Sequence, residues 1–145
     1  MGEEHKSLTN IMIADAEKGK SLEELLQNAA RIETVSELIR SKLGEMTLDD
    51  LGYEIGLSYA GISKIVSEKI RPKRDILLAI AFVLKMSIEE AQQLLKSGRH
   101  AGLTSSDQRD ITIIHGKVEN LSLTEMNQVL LQHDFKPLTS DVRTF

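Results

Sequence analysis

The sequence predicts an all-α protein, and three observations carry that prediction. Helix starts are marked by hydroxyl and carboxylate residues three positions apart: Ser21 with Glu24, Thr34 with Glu37, Thr47 with Asp50, Ser87 with Glu90, and Ser122 with Glu125. In such a capping box each side chain satisfies a backbone amide that the first helical turn leaves without a partner. Apolar residues then recur at helical spacing, while two prolines and 3% aromatic residues leave little material for a sheet. Finally, the chain repeats itself at an offset of 35 residues, and each unit reads as helix, turn, helix.

The elements follow in order. Residues 1–32 read as an N-terminal arm of one or two amphipathic helices. Its apolar stripe is Leu22, Leu25, Leu26 and Ala29, set off from Ile11-Met12-Ile13 by a break at Gly19-Lys20. The arm is expected to pack on its own domain; a dimerisation arm is the alternative. Thr34 and Glu37 open the next helix, carried by Val35, Leu38, Ile39 and Leu43 and ended near Gly44. Thr47 then caps a short helix, with Asp49 and Asp50 complementing its dipole. Gly52 suits a close crossing of two backbones, and Gly56 suits a turn at positive φ. Leu57 is expected to plug the core after that turn. Ser58 caps a second helix, near 59–67, whose apolar residues are Ile62, Ile65 and Val66. The pattern from Thr47 to Val66 is that of a helix-turn-helix.

The repeat organises the remainder. Arg74-Asp75-Ile76 aligns with Arg109-Asp110-Ile111, Ser87 with Ser122, Glu90 with Glu125, and Leu103-Thr104-Ser105 with Leu138-Thr139-Ser140. Helices are expected near 74–84 and 88–96, duplicated as 109–117 and 124–132, about eight in all. Two units are too few for a solenoid. Gly98, Gly116 and Pro137 read as stops, and the β-prone Ile111-Thr112-Ile113-Ile114 is expected to be helical. The second copy is more polar, with His115-Gly116-Lys117 replacing Ile80-Ala81-Phe82, so it reads as a partly exposed lid or partner surface. The domain plan is the arm at 1–32, a helix-turn-helix domain at 33–100, and the repeated hairpin at 101–145.

Composition narrows the function. A chain of 145 residues with 41% hydrophobic and 28% charged residues is an ordinary folded protein. The absence of cysteine excludes disulfides, thiolate metal sites and cysteine nucleophiles. His5, His100, His115 and His133 lie in no metal-ligand spacing, and no phosphate-binding glycine loop or nucleophile elbow occurs. No catalysis, cofactor or metal is therefore expected. His115, aligned with Ile80, is expected to be semi-buried, and His133-Asp134 to be solvated at a helix end. The chain has no apolar run of membrane-spanning length, and its first residues lack a signal pattern, so a cytoplasmic location without membrane contact is expected. Net charge is −4, yet Lys64, Lys69, Arg71, Lys73 and Arg74 cluster behind the helix-turn-helix, interrupted by Glu68.

These residues resemble a known family. Residues 35–95 resemble the lambda-repressor-like, Cro-type (XRE family) helix-turn-helix domain. The resemblance rests on Met46-Thr47, on Leu51 through Ser58 across the turn, on Ile62-Ser63-Lys64-Ile65, and on Lys69, Arg71-Pro72 and Met86-Ser87-Ile88-Glu89-Glu90. Residues 34–138 are similar to a subgroup of Gram-positive bacterial regulators in which a second hairpin ends in Pro-Leu, here Pro137-Leu138.

The resemblance implies sequence-specific binding of double-stranded operator DNA, repressor-like, by a homodimer. Carried onto this chain, Ser58 and Tyr59 would meet phosphate and base edge. Ala60, Ser63 and Lys64 would point at bases, and Lys69, Arg71 and Lys73 would line the phosphate backbone. Three positions depart from the pattern: Leu48 replaces a phosphate-bracing Gln, Gly61 lies inside the recognition helix, and Glu68 stands where Gly is usual. They motivate an alternative function, a protein-interaction adaptor with a degenerate helix-turn-helix. Bacterial proteins of this layout occur near signalling enzymes such as protein kinases, which would suit such a protein partner.

Overall fold

A computed structural model describes residues 8–27 and 33–140; His5 and Ala29 lie outside the described residues. Among the described residues there are nine helices and no strand. In order they are α1 (Leu8–Glu17), α2 (Leu22–Gln27), α3 (Val35–Lys42), α4 (Leu48–Ile55), α5 (Tyr59–Val66), α6 (Arg74–Val83), α7 (Ile88–Ser97), α8 (Gln108–Val118) and α9 (Leu123–Gln132). The β-prone Ile111–Ile114 run lies inside α8, where the Asp107 cap and the helical spacing of Asp110 and Ile113 prevail. None of these helices is long and apolar enough to cross a membrane.

The chain divides into two compact units, Met1–Ile32 and Glu33–Phe145. In the first, α1 and α2 pack together around the turn at Gly19, whose φ is +93°. Ser21 Oγ accepts the Glu24 amide at 3.2 Å and donates to the Glu24 carboxylate at 3.3 Å. Ile11, Met12 and Ile13 are about half exposed, and Leu22 and Leu26 more so.

In the second unit the sequence punctuation is realised atom by atom. Thr34, Thr47, Ser87 and Ser122 each accept the amide three residues on, at 3.0–3.1 Å. Glu37, Asp50, Glu90 and Glu125 reach back to the cap amide at 2.8–3.3 Å. Each cap contributes about 1 kcal/mol. Glu90 also forms an ion pair with Lys42, whose hydrogen bond, with that of the Ser87 amide, holds the Glu90 carboxyl below its ordinary pKa. This pair joins α7 to α3.

α6 is the centre of the core. Leu77 through Phe82 are all buried, so no face of this stretch is left to solvent. Along one side runs α4, antiparallel to it. One groove brings Ile55, Gly56 and Leu57 beside Lys73–Ile76, and a second brings Met46, Asp50 and Tyr53 beside Phe82, Val83 and Lys85. α4 meets α5 at the turn expected from its glycines. Gly56 takes φ +81°, and a Cβ on Gly52 would lie 2.9 Å from the Leu57 carbonyl oxygen and 3.2 Å from Ile62 Cγ2. Leu57 is partly buried against the core.

The duplication carries into the helix register: α7 shifted by 35 residues is α9, capped alike by Ser87 and Ser122, and α6 so shifted is α8 less its first residue. The left-handed residues repeat as well, Lys85 with Asn120 and Arg99 with Asp134. The two hairpins then exchange ion pairs reciprocally. Arg74 binds Asp110 at 2.9 and 3.1 Å, and Arg109 binds Asp75 at 3.0 and 3.1 Å. Each arginine also donates from Nε to its own hairpin's closing loop, at Ala101 and Lys136 respectively. Such reciprocity, in which i meets j and j meets i, is the mark of a two-fold relation. Positions on that axis must meet their own equivalents. Phe82 and Lys117 do so: the ammonium lies 4.7 Å from the ring centroid and donates to the Ala81 carbonyl at 2.9 Å. Burial lowers the Lys117 pKa from its ordinary value.

Three expectations concern the second hairpin. The second hairpin, read as a partly exposed lid or partner surface packed on the core, places Ile113, Leu123, Met126, Leu130 and Leu138 in the core and leaves Ile111, Val118 and Leu131 exposed. Gly116, expected near the end of its helix, lies two residues before the end of α8, where it is buried and leaves room for Met126. His115 is exposed rather than semi-buried.

Candidate nucleic-acid interface

Helix α5 buries Ile62, Ile65 and Val66 and turns Tyr59, Ala60 and Lys64 outward, with Ser63 half-buried between them. Ser58 caps this helix, its Oγ accepting the Gly61 amide at 3.1 Å, so its hydroxyl proton stays available for an outside acceptor. Tyr59 is 58% exposed, which leaves the first turn of α5 open to a ligand. Gly61 lies partly buried beside Leu57, and Leu48 packs against the core rather than projecting as a polar brace.

The segment after α5 is shaped by a Schellman closure. The Glu68 amide donates to Ile65 at 3.1 Å and the Lys69 amide to Lys64 at 2.9 Å, which puts Glu68 at φ +62°. The preference for Gly there thus has a backbone cause. Both Glu68 and Lys69 are exposed.

The five clustered cations separate into two kinds. Arg71 donates from Nε to the Gly98 carbonyl at 3.1 Å and from an Nη to that of Arg99. Arg74 is held by Asp110 and by the Ala101 and Gly102 carbonyls. Both arginines therefore tie the loop to the C-terminal end of α7, with His100 Nε2 and the Pro72 carbonyl adding a contact at 2.7 Å. Arg71, expected along a phosphate backbone, is exposed but has two of its five N–H donors committed to the Gly98 and Arg99 carbonyls. Lys64, Lys69 and Lys73 are exposed and make no ion pair among the described residues.

One cation was not among the expected residues. Lys136 shares a groove of about 550 Å³ with Lys73 and with Gly56 and Leu57 of the turn. No sequence pattern signals it. It arrives there because Arg109 Nε holds its carbonyl, as Arg74 holds that of Ala101. Among the described residues no three metal-ligating side chains converge.

Comparison with protein-family models, with curated proteins and with solved structures finds no match to this chain.

Proposed function

We propose that this protein is a sequence-specific, double-stranded DNA-binding regulator of the lambda-repressor-like helix-turn-helix kind, acting as a homodimer with α5 as its recognition helix. The observation that carries this reading is the outward face of α5 next to three uncommitted lysines. Tyr59, Ala60, Ser63 and Lys64 are presented by a turn that Gly52 and Gly56 make tight, and Lys69 and Lys73 follow. In this reading Lys64 donates to guanine O6 or N7, and Ala60 meets a thymine methyl. Ser58 and Tyr59 fix the helix at its N-terminus, while Lys69 and Lys73, joined by Lys136, neutralise phosphates. The loop between α5 and α6 needs little ordering on binding, because Arg71 and Arg74 already anchor it.

Three lysines per protomer give about six phosphate neutralisations per dimer, hence a salt slope near −5 in log–log form. Selection from fragmented genomic DNA, followed by titration of the enriched fragment across salt concentrations, tests the reading. An inverted repeat, bound with that slope and lost in Lys64→Glu, is expected. No enrichment by a protein folded by circular dichroism would sink it.

A second reading, the protein-interaction adaptor, gains weight from the commitment of Arg71 and Arg74 and from Glu68 among the remaining lysines. It expects a protein partner that stays bound at high salt and is indifferent to Lys64→Glu.

A further inference from the structure

The internal two-fold gives each closing loop a counterpart in the other hairpin. In the first, Arg74 Nε donates to the Ala101 carbonyl at 3.0 Å, and in the second Arg109 Nε donates to the Lys136 carbonyl at 3.0 Å. The Leu103 amide is held by Gln92 at 2.7 Å and the Leu138 amide by Asn127 at 2.8 Å. Both loops close by the same bonds, so the Lys136 ammonium is not needed for closure. The residue before the repeated Arg-Asp pair differs in the same sense, Lys73 in the first copy and Gln108 in the second. Neither lysine has a cationic counterpart across the two-fold, yet both line one groove of about 550 Å³. That groove is bordered by Gly56 and Leu57, directly before Ser58 and Tyr59 at the start of α5. Of its other charged residues, Arg74 is neutralised by Asp110 and Asp75 by Arg109. Lys73 and Lys136 remain, both exposed and without an ion pair among the described residues. Asp134, the one carboxylate on the described part of the loop after α9, does not line the groove. Thr139 adds a hydroxyl whose oxygen accepts from Asn127 at 3.0 Å, which leaves its proton to donate.

We propose that Lys73, Lys136 and the Thr139 hydroxyl form a seat for a phosphate group, and that the second hairpin serves DNA binding by supplying part of that seat. The inference deepens the DNA-binding reading given above and rests on it: the phosphate is a phosphodiester of the operator backbone, beside the groove that α5 enters. Two uncompensated ammonium groups, brought together from positions 63 residues apart in the chain, favour an anion. A phosphodiester offers a full negative charge and acceptor oxygens, and lysine meets it as a point charge. Arg109 and Asn127 fix the loop through its backbone, so binding has only side chains to order. Because the contact is to backbone, the seat adds affinity and sets the register on the duplex without reading its sequence.

The full chain is titrated with the enriched operator fragment and with a scrambled duplex, across salt concentrations. Wild type is compared with Lys73→Gln, Lys136→Gln and, as a control, Lys85→Gln. Lys85 is exposed beyond the far end of α6, whose ten residues span about 15 Å. Each seat variant is expected to flatten the log–log salt slope by about 2 per dimer, on both duplexes alike, and Lys85→Gln to leave it unchanged. Lys64→Glu, by contrast, is expected to remove the preference for the operator. A slope unchanged in either seat variant, or flattened equally by Lys85→Gln, overturns the seat and leaves the DNA reading standing on Lys64. If no duplex is enriched, the DNA reading fails by itself, and inorganic pyrophosphate then tests the seat by nuclear magnetic resonance. Saturable amide shifts at Lys136–Ser140, lost in Lys73→Gln and Lys136→Gln, would retain the seat with a free phosphorylated ligand as its source. No saturable shift would overturn it.

Discussion

Single residues decide how these helices end. Among the described residues, five that are not glycine adopt left-handed φ near +54° to +63°: Glu68, Lys85, Arg99, Asn120 and Asp134. Each closes a helix with the paired backbone bonds seen at Glu68, for example Met86 to Ala81 and His100 to Leu95. An L-residue there costs about 1–2 kcal/mol, less for Asn and Asp, whose side chains bond locally. Glycine removes that cost but adds freedom to the unfolded chain. Glu68→Gly should therefore stabilise the protein by about 0.5–1 kcal/mol in urea unfolding, and Asn120→Gly by less. Under the DNA reading, Glu68→Gly also removes an anion beside Lys69 and should tighten operator binding at low salt more than at high salt. Equal gains at both salt concentrations would argue against a phosphate near that residue. Gly98 marked the end of α7 one residue before Arg99, but the left-handed positions themselves escaped the sequence, because glycine is their usual marker and charged or amide residues occupy them here.

At the scale of elements, glycines that look alike in sequence do different work. A Cβ on Gly52 would press on a backbone oxygen of the very turn that joins α4 to α5, and backbone cannot swing aside. A Cβ on Gly116 would meet the end of the Met126 side chain, which is flexible. The equivalent pair in the first hairpin, Ala81 and Ala91, divides the volume differently between its two members. Gly52→Ala should then cost about 1–3 kcal/mol from overpacking, outweighing its gain in helix propensity. Gly116→Ala should be close to neutral. Thermal melts of the two variants decide this, and similar losses in both would mean that Met126 cannot move. The helix starts were legible because a capping box is local chemistry. The role of Gly116 was not, since it depends on which side chain the fold places opposite.

For the whole molecule, the reciprocal Arg–Asp exchange explains how the two hairpins recognise each other. Each arginine and each aspartate of the two Arg-Asp pairs is used once, so the contact closes on itself. The two pairs are alike in bonding but not in burial: the Asp110 side chain is 6% exposed and that of Asp75 is 23% exposed. Asp110 also caps the Thr104 amide at 3.1 Å. Asp110→Asn leaves a partly buried guanidinium without its carboxylate and should cost about 3 kcal/mol. Asp75→Asn should cost about 1 kcal/mol. Equal losses by chemical denaturation would show that solvent reaches both pairs alike.

What the sequence determined by itself is the helical class, the helix starts, the two glycines of the α4–α5 turn and the existence of a duplicated hairpin. All of these are written in residues a few positions apart or in identities at a fixed offset. Only the tertiary structure decided that the hairpins face each other across a two-fold. It also decided that two of the five clustered cations are internal ties, that Lys136 joins the remaining lysines, and that Ile111, His115 and Val118 lie open where their counterparts are covered. Those outcomes turn on which distant groups meet, and on how much water is left around them when they do.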